Sequence, residues 1–554
     1  MTPTPTGTPN PGAVRSIRPV FGRIAPSTQV QQAPSRVSPA SQTRRATAIT
    51  PKRLLSDEQL SVVRSTAGVC VVNAFAGTGK TTTAQAVAEA YPNERFLYLS
   101  LTKANQIEAA SRFPSNVKPM TTHAVALSQV GASLGSRDRV VQQWRALTVR
   151  QEMQLPTTRS AALTQTVLKE FFKSEDREIS EDHTFEIATN WNATEAEILA
   201  SVSHAKDAWS KMGDRTSKVS IPPDAYLKMF ALSNPRLPFD RIIFDEAQDS
   251  NPVTAQIIHQ QSSQNSARIL CIGDRHQSIY GFRGSIDAMT DFASMGGAEV
   301  LHLTKTWRFG QEIADLANIL LNELKGEKTR IIGAGTPGPW NASRYTHLAR
   351  TNSQLISIAA SRSGKGIHWV GGPDSYRLST LEDAYHLFSR EPQKIQDRFY
   401  QNFPSWHAYE EYATNSRDSD ARVILKIIGE HRHDTPDLLR DIRANAVANQ
   451  DEAELTLSTG HKAKGLDWDC VQIGDDFEFL QEIEKFFIDH PGQPLSDEMV
   501  QEVDLLYVAI TRARKSLTLN AETRDWFTNL ASHQLTRMSA ARIHHFAIEK
   551  ARRK

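Results

Sequence analysis

Short apolar runs recur along the chain, and segments with helical periodicity separate many of them. Each run is bounded by turn or helix signals, which predicts a series of β-strands connected by helices. The strand-like runs occupy residues 68–73, 96–101, 241–244, 268–272, 300–303, 345–349, 454–458, 470–473 and 516–519. Strands that alternate with helices are typical of a parallel sheet, so the pattern predicts an α/β protein.

Two stretches interrupt this alternation. The pattern of residues 135–230 is helical throughout, and that of residues 360–452 is mixed and then helical. The simplest architecture is therefore two α/β lobes, each carrying an inserted, mainly helical subdomain. The predicted divisions are 51–134 with 231–304 for the first lobe, 135–230 for its insertion, 305–359 with 453–530 for the second lobe, and 360–452 for its shorter insertion.

Both ends of the chain are basic. Residues 1–50 are rich in Pro, Thr, Ser, Gln and Arg, and no acidic residue precedes Asp57. Such a segment cannot bury enough apolar surface to offset its ordering entropy, so it is predicted to be a disordered tail. Its composition also resembles an organelle transit peptide or an export signal, which stays open as an alternative. Residues 531–554 form a second basic tail.

The composition of the chain says more about the cellular location of the protein than about its activity. The charges nearly balance, with 64 Lys+Arg against 62 Asp+Glu, so the overall charge does not indicate nucleic acid. Cys70, Cys271 and Cys470 lie in apolar runs whose spacing suits neither a metal site nor a disulfide framework. No apolar run approaches the roughly 20 residues of a membrane span, so no membrane partner is expected. A cytoplasmic, nucleoid-associated location is the prediction; an exported effector or an organelle protein is the alternative.

The segment Ala74-Phe-Ala-Gly-Thr-Gly-Lys-Thr81 connects a predicted strand to a predicted helix. In that context, glycines allow backbone N–H groups to converge on phosphates, and the helix N-terminus favours negative charge. Lys80 would reach the β- and γ-phosphates of ATP, and the Thr81 hydroxyl would hold Mg²⁺. The predicted nucleotide-binding residues of this segment are Ala74, Phe75, Ala76, Gly77, Thr78, Gly79, Lys80, Thr81 and Thr82.

Two adjacent carboxylates, Asp245 and Glu246, end another predicted strand. Ligands of open α/β sheets bind at this end of the strands. Asp245 is therefore predicted to bind Mg²⁺, and Glu246 to act as the general base for the attacking water.

With these residues assembled, the chain from about Leu55 to Leu519 resembles the UvrD/Rep-like helicases of superfamily 1A. Most family motifs are present in order, and the stretch 272–284 is the most diagnostic. Within the family the likeness is greatest to the F-box DNA helicase group, although no F-box is recognisable before the first lobe. The motifs that carry the resemblance lie at 55–59, 77–81, 101–104, 121–124, 245–249, 272–284, 304–310, 458–468 and 506–514.

The resemblance implies two RecA-like lobes and assigns residues to the nucleotide. Gln59 would read the adenine edge, and Trp307 would stack on the base. Gln277 would sense the γ-phosphate, with Arg308 and Arg512 as the catalytic arginines. Lys80 and Glu246 complete the catalytic set, while Gly465 and Asp467 would contact the nucleotide. Asp467 stands where relatives usually have Glu, whose side chain is one methylene longer. At this position, which would contact the ribose, the chain therefore departs from the family pattern.

The resemblance also implies a set of DNA contacts. The implied residues are Thr102, Lys103, His123, Tyr280, Phe282, Arg283, Arg350, Asn352 and His461. Tyr280 and Phe282 alternate with Arg283, a combination suited to single strands without sequence preference. Leu101 and Thr122 fall where relatives often have Phe, so the grip on the strand is expected to be weaker.

The predicted function is an ATP-dependent DNA helicase or single-strand translocase, with ATP and Mg²⁺ as cofactors. Its partners would be single-stranded DNA and junctions of single- and double-stranded DNA, in repair, recombination or replication. The family implies 3′→5′ movement. A translocase that strips proteins and unwinds poorly is a related alternative. An ATP-switched nucleic-acid sensor within a larger defence or repair complex is an alternative of another class. Protein partners, where present, are expected to bind the N-terminal tail or the short insertions.

Overall fold

The computed structural model describes residues 54–281, 287–362, 366–416 and 418–530. The predicted tails at 1–50 and 531–554, and the predicted DNA contacts Phe282 and Arg283, lie outside these residues. The described chain is mixed α/β and contains two large parallel sheets, which confirms the predicted fold class. No helix in the described ranges combines the length and apolarity that a membrane crossing requires.

The first sheet collects strands from both sides of an all-helical stretch. Its elements are α1 Asp57–Arg64, β1 Val69–Ala74, α2 Lys80–Ala90, β2 Phe96–Ser100, α3 Lys103–Arg112, β3 Val117–Thr121, α4 Thr122–Val130, α5 Ala146–Met153, α6 Thr158–Lys173, α7 Phe185–Thr189, α8 Glu195–Gly213, α9 Pro223–Leu232, β4 Arg241–Asp245, α10 Pro252–Asn265, β5 Arg268–Gly273, α11 Ala288–Ser294 and β6 Glu299–Leu303. The strand order is β3-β2-β4-β5-β1-β6, and every neighbouring pair is parallel. Helices α5 to α9 form the first insertion.

The second sheet is built in the same way. Its elements are β7 Lys305–Thr306, α12 Gln311–Lys325, β8 Ile332–Gly333, β9 Tyr345–Ala349, α13 Asn352–Ala360, β10 Ile367–Trp369, α14 Leu378–Phe388, α15 Arg398–Gln401, α16 Trp406–Ser416, α17 Ser419–His431, α18 Thr435–Asn445, β11 Ala446–Val447, β12 Leu455–Thr459, β13 Trp468–Ile473, α19 Leu480–Asp489, α20 Asp497–Ile510 and β14 Ala513–Thr518. Five strands follow the order β11-β10-β12-β9-β13, β14 completes the edge, and β7 pairs separately with β8.

The central strands are buried on both faces. Val71 and Val72 of β1, and Ile242 and Ile243 of β4, have no solvent exposure. Helices cover both faces of a parallel sheet, so its strands appear in the sequence as continuous apolar runs. This burial explains why the apolar pattern located the central strands.

In the two large sheets, three strands (β3, β10 and β11) lie outside the predicted runs. β3 contains Lys118 and Pro119 and lies at the edge of the first sheet, where a proline is tolerated because one side of the strand needs no ladder hydrogen bond. β10 and β11 are only three and two residues long, and they come from the range predicted as the second insertion. The second sheet thus extends into the range 360–452.

The two insertions contact one another. In the second, Phe399, Tyr400, Tyr409 and Tyr412 pack into one aromatic cluster, with ring centroids of neighbouring members 5.2–5.4 Å apart. The Arg145 guanidinium of the first insertion lies 4.2 Å from the centre of the Phe399 ring, a cation–π contact. A polar cleft of about 740 Å³ remains between the insertions.

A buried lysine within the first insertion makes the stability of the folded chain sensitive to pH. Lys228 of α9 has no solvent exposure, donates a 2.6 Å hydrogen bond to the Ser174 carbonyl, and lies over the Phe171 ring. Burial lowers the pKa of Lys228 to about 8. At pH 7 both the folded and unfolded chains carry this charge, so the folded state bears the full desolvation cost.

Replacing Lys228 with methionine is expected to raise the melting temperature relative to wild type more at pH 7 than at pH 9.5. Near pH 9.5 the folded wild type has released the proton while the unfolded chain still holds it, so the cost of the buried charge falls. Thermal unfolding of both proteins at both pH values measures the difference. An advantage that is the same at both pH values would contradict a charge effect and indicate packing alone.

Candidate nucleotide site between the two sheets

The loop between β1 and α2 has the backbone of a phosphate-binding loop. Gly77 and Gly79 have φ values of +74° and +87°, in the left-handed region that glycine adopts without strain. A Cβ on Gly77 would lie 2.5 Å from the Thr306 Oγ1, and one on Gly79 would lie 2.7 Å from the Gln59 Nε2. Both glycines are therefore required by backbone conformation and by close neighbours.

Gln59 lies against this loop. It forms a capping box with Ser56 at the start of α1, and its Nε2 donates to the Thr78 carbonyl at 3.4 Å. The predicted adenine reader is thus anchored beside the phosphate loop by local helix capping.

The acidic pair follows β4 at the carboxyl edge of the first sheet. Tyr98 donates a hydrogen bond to Asp245 Oδ2, and the Glu246 backbone N–H donates to Asp245 Oδ1 at 3.0 Å. Glu246 has a φ of +54°, an uncommon conformation for a residue with a Cβ. Its Oε1 lies 3.2 Å from the Lys80 Nζ, and its Oε2 accepts a 2.6 Å hydrogen bond from Gln248.

The two neighbouring carboxylates have opposite electrostatic environments. Burial, reinforced by the negative charge of Glu246, raises the pKa of Asp245 above its ordinary value. Burial alone would also raise the pKa of Glu246, but the Lys80 and Lys464 ammonium groups lower it below the usual range. Glu246 therefore remains ionised at neutral pH, as a proton acceptor must.

Lys464 was not among the predicted site residues, although it lies in one of the quoted motifs. It follows β12 of the second sheet, and its Nζ bonds the Asp249 carboxylate and the Gln277 carbonyl, the latter at 2.6 Å. The same Nζ is 3.7 Å from Glu246 Oε2. Burial raises the pKa of Asp249 to about 6 despite this cation. The available signal was a lysine in the loop that follows the carboxyl end of β12, within the quoted motif 458–468.

Gln277 is held between residues of both sheets. Its Nε2 donates to Asp274 Oδ2 at 2.7 Å, and its Oε1 accepts from the Arg512 Nη2 at 3.3 Å. The Tyr507 hydroxyl donates to the same Asp274 oxygen at 3.0 Å and accepts from the Ala76 N–H at 3.2 Å. Asp274 and Tyr507 were also missing from the prediction, because neither is distinctive without its partners.

The two predicted arginines lie near one another. Arg512 is only 1% exposed, and its Nε donates to the Val508 carbonyl at 2.8 Å. Burial, with the neighbouring Arg308 charge, lowers the pKa of Arg512 to about 9. Arg308 donates to the Thr511 carbonyl at 3.3 Å, and burial lowers its pKa as well.

The remaining predicted nucleotide contacts, Trp307, Asp467 and Gly465, lie around the seam, which is the place where the residues described above from the two sheets meet. Trp307 donates its backbone N–H to the Gly77 carbonyl at 3.2 Å, while its side chain is largely open, with the residue 46% exposed. Asp467 lies 3.9 Å from the Arg308 Nε. Gly465 has a φ of +86° and is exposed. The open indole offers a flat surface next to the phosphate loop.

The oxygen donors at this edge suit Mg²⁺. Thr81 is the second residue of α2, and Asp245 ends β4. Mg²⁺ is usually bound by one or two protein oxygens together with substrate phosphates and water. Among the described residues, no group of three or more His, Cys, Asp or Glu side chains could hold a metal ion.

The predicted DNA contacts of the first lobe have local roles. Thr102 caps α3 through a 3.2 Å hydrogen bond from the Asn105 N–H, and Lys103 begins that helix fully on the surface. His123 is near the start of α4, and its Nε2 is 3.2 Å from the Asp224 Oδ1.

Of the other predicted DNA contacts, Tyr280 of the first lobe touches His461 of the second. Arg350 and Asn352 lie elsewhere on the second lobe. The Tyr280 hydroxyl donates to the His461 carbonyl at 3.4 Å, and their rings are 6.2 Å apart. Arg350 forms an ion pair with Glu502, with its Nε 2.7 Å from a carboxylate oxygen. Asn352 begins α13. The structure therefore places Tyr280 beside His461, whereas Arg350 is paired with the Glu502 carboxylate.

Comparisons with known proteins identify the family of this chain. Residues 55–294 match the UvrD/REP helicase N-terminal domain, and residues 393–524 match the UvrD-like helicase C-terminal domain. The F-box DNA helicase 1 of Gallus gallus is 30% identical over an alignment of 504 positions that covers 84% of this chain and 48% of that protein. The F-box DNA helicase protein 1 of Schizosaccharomyces pombe is 31% identical over an alignment of 517 positions that covers 84% of this chain and 57% of that protein.

A more distant relative is the ATP-dependent DNA helicase UvrD2 of Mycobacterium bovis, which is 22% identical over an alignment of 330 positions that covers 50% of this chain and 47% of that protein. The chain thus spans about half the length of the curated relatives that it matches. The two family models match successive parts of the chain and include the phosphate loop, the acidic pair and Arg512. Because both family models match, the chain belongs to the UvrD/Rep family of helicases.

Proposed function

We propose that the protein is an ATP-dependent DNA helicase or single-strand DNA translocase that moves 3′→5′. One observation carries the proposal. Groups that can bind and hydrolyse a nucleoside triphosphate come from both sheets and meet at a single seam, where Lys80 lies 3.2 Å from Glu246 and Gln277 lies 3.3 Å from Arg512. A site shared between two lobes responds to their separation, which is what a motor requires.

The proposed chemistry follows from the charges at the seam. Lys80 and the backbone N–H groups around Gly77 and Gly79 would hold the phosphates. Glu246 would accept the proton of the attacking water, and Arg308 and Arg512 would stabilise the charge that develops on the γ-phosphoryl oxygens. Mg²⁺, when bound, supplies a Lewis acid that neutralises phosphate charge, and Thr81 and Asp245 would hold it.

Coupling to DNA is supported by one buried side chain. Lys464 bonds Asp249 and the Gln277 carbonyl in the first lobe, and it belongs to the loop that carries His461. His461 in turn contacts Tyr280, an aromatic residue suited to stacking on a base. A change at the acidic pair can therefore move the proposed strand contacts through a short path of direct contacts.

The proposed partner is single-stranded DNA, including its junctions with duplex. The names of the three relatives support DNA over RNA, since each is called a DNA helicase. Repair, recombination or replication is the proposed setting. The Trp307 indole, exposed beside the phosphate loop, is the proposed adenine platform.

The first test is ATP turnover by the full chain with no nucleic acid, with single-stranded DNA and with single-stranded RNA. We expect strong stimulation by DNA and little by RNA, because strand binding would draw the two lobes together around ATP. A strand-displacement assay on duplexes with 3′ or 5′ tails then tests unwinding and direction. Turnover that ignores every strand would contradict the motor and favour a partner-activated switch.

A further inference from the structure

The Tyr507 hydroxyl occupies an unusual position at the seam. Tyr507 belongs to α20 of the second lobe and has no solvent exposure. Its hydroxyl accepts from the Ala76 N–H of the phosphate loop at 3.2 Å and donates to Asp274 Oδ2 at 3.0 Å. One atom of the second lobe thus joins two segments of the first.

Asp274 passes this constraint to Gln277. Its Oδ2 accepts from both the Tyr507 hydroxyl and the Gln277 Nε2, while its Oδ1 accepts from the His276 N–H at 3.1 Å. An ionised carboxylate only accepts hydrogen bonds, and a guanidinium only donates them. The Gln277 amide therefore has one orientation available, with Nε2 toward Asp274 and Oε1 toward Arg512.

We propose that Tyr507 is a positioning residue for ATP hydrolysis, whose hydroxyl sets the orientation of Gln277 when the two lobes are together. This inference rests on the proposed function, in which Gln277 senses the γ-phosphate. Separation of the lobes withdraws the hydroxyl from Asp274 and the phosphate loop at once. Gln277 is then released from the orientation that faces Arg512, so turnover depends on lobe closure.

The direct test is Tyr507→Phe, which removes one oxygen atom and keeps the ring. We expect kcat for DNA-stimulated ATP turnover to fall about tenfold, the effect of losing one hydrogen bond to a charged group, while KM for ATP changes less than about twofold. Tyr400→Phe is the matched control. Tyr400 is also buried, and its hydroxyl bonds Tyr409 at 3.2 Å within the second insertion, so its loss should leave turnover unchanged.

A double-mutant cycle with Gln277→Ala separates positioning from packing. If Tyr507 acts through Gln277, then Tyr507→Phe should lower kcat less than about twofold in the Gln277→Ala background. A purely structural role predicts the same tenfold loss in both backgrounds and would overturn the proposal. Thermal unfolding of each variant checks that it is folded.

If Tyr507→Phe does not fold, Asp274→Asn can take its place in the double-mutant cycle with Gln277→Ala. The asparagine amide would meet the Gln277 Nε2 as donor against donor, whereas the bond from the His276 N–H to the other oxygen survives. Its loss of kcat should likewise disappear in the Gln277→Ala background. An active wild type with a fully active Tyr507→Phe overturns this inference alone. A wild type without ATP turnover overturns the proposed function and this inference with it.

Discussion

Glu246→Gln is expected to lower DNA-stimulated ATP turnover roughly 10²–10⁴-fold, the contribution of a general base. The amide keeps the size of the side chain and can still bond Gln248, but it cannot accept a proton. Lys80 and Lys464 hold the pKa of Glu246 low, so the wild-type group is ionised across the neutral range. Steady-state release of phosphate, with saturating single-stranded DNA, measures the loss.

Nucleotide binding should survive this change. A fluorescent ATP analogue is therefore expected to bind Glu246→Gln with an affinity similar to that of the wild type. Glu195→Gln is the matched control, because Glu195 is an exposed residue in the first turn of α8. Wild-type turnover in Glu246→Gln would assign the proton transfer to another group and contradict the proposed mechanism.

Arg512→Lys is expected to lower kcat by about 10³-fold, at the lower end of the range for a catalytic arginine. Lysine keeps the positive charge but loses the planar fork that donates to Gln277 and to the Val508 carbonyl at the same time. The loss should therefore appear in kcat, with a smaller change in KM for ATP. Turnover at several ATP concentrations separates the two.

The matched control for this change is Arg524→Lys, because the Arg524 side chain is 64% exposed and pairs only loosely with Asp525, at 3.7 Å. Arg512 is buried, so the melting temperature of Arg512→Lys must be measured beside its activity. A folded Arg512→Lys with wild-type kcat would remove this arginine from the reaction and leave Arg308 as the remaining candidate.

Much of the fold could be predicted from the sequence because the central strands are buried on both faces. The predicted strand at 345–349 has the bounds of β9, and the run at 241–244 falls one residue short of β4. The prediction missed one edge strand of each large sheet, β3 and β11. β3 carries Lys and Pro, and β11 has two residues, so neither has an apolar pattern long enough to recognise.

The site divides in the same way. The phosphate loop and the acidic pair could be predicted from the sequence, because contiguous residues with fixed spacing form each of them. The sequence also supplied Gln277, Arg308 and Arg512 through recognisable local motifs. Two contacts could be seen only in the folded structure. Lys464 reaches Glu246 and Asp249, and the Tyr507 hydroxyl reaches Asp274 and the phosphate loop. The periodicity of a segment depends on which of its own residues are buried, whereas these contacts join residues that are far apart in the sequence and meet only where the two sheets lie together.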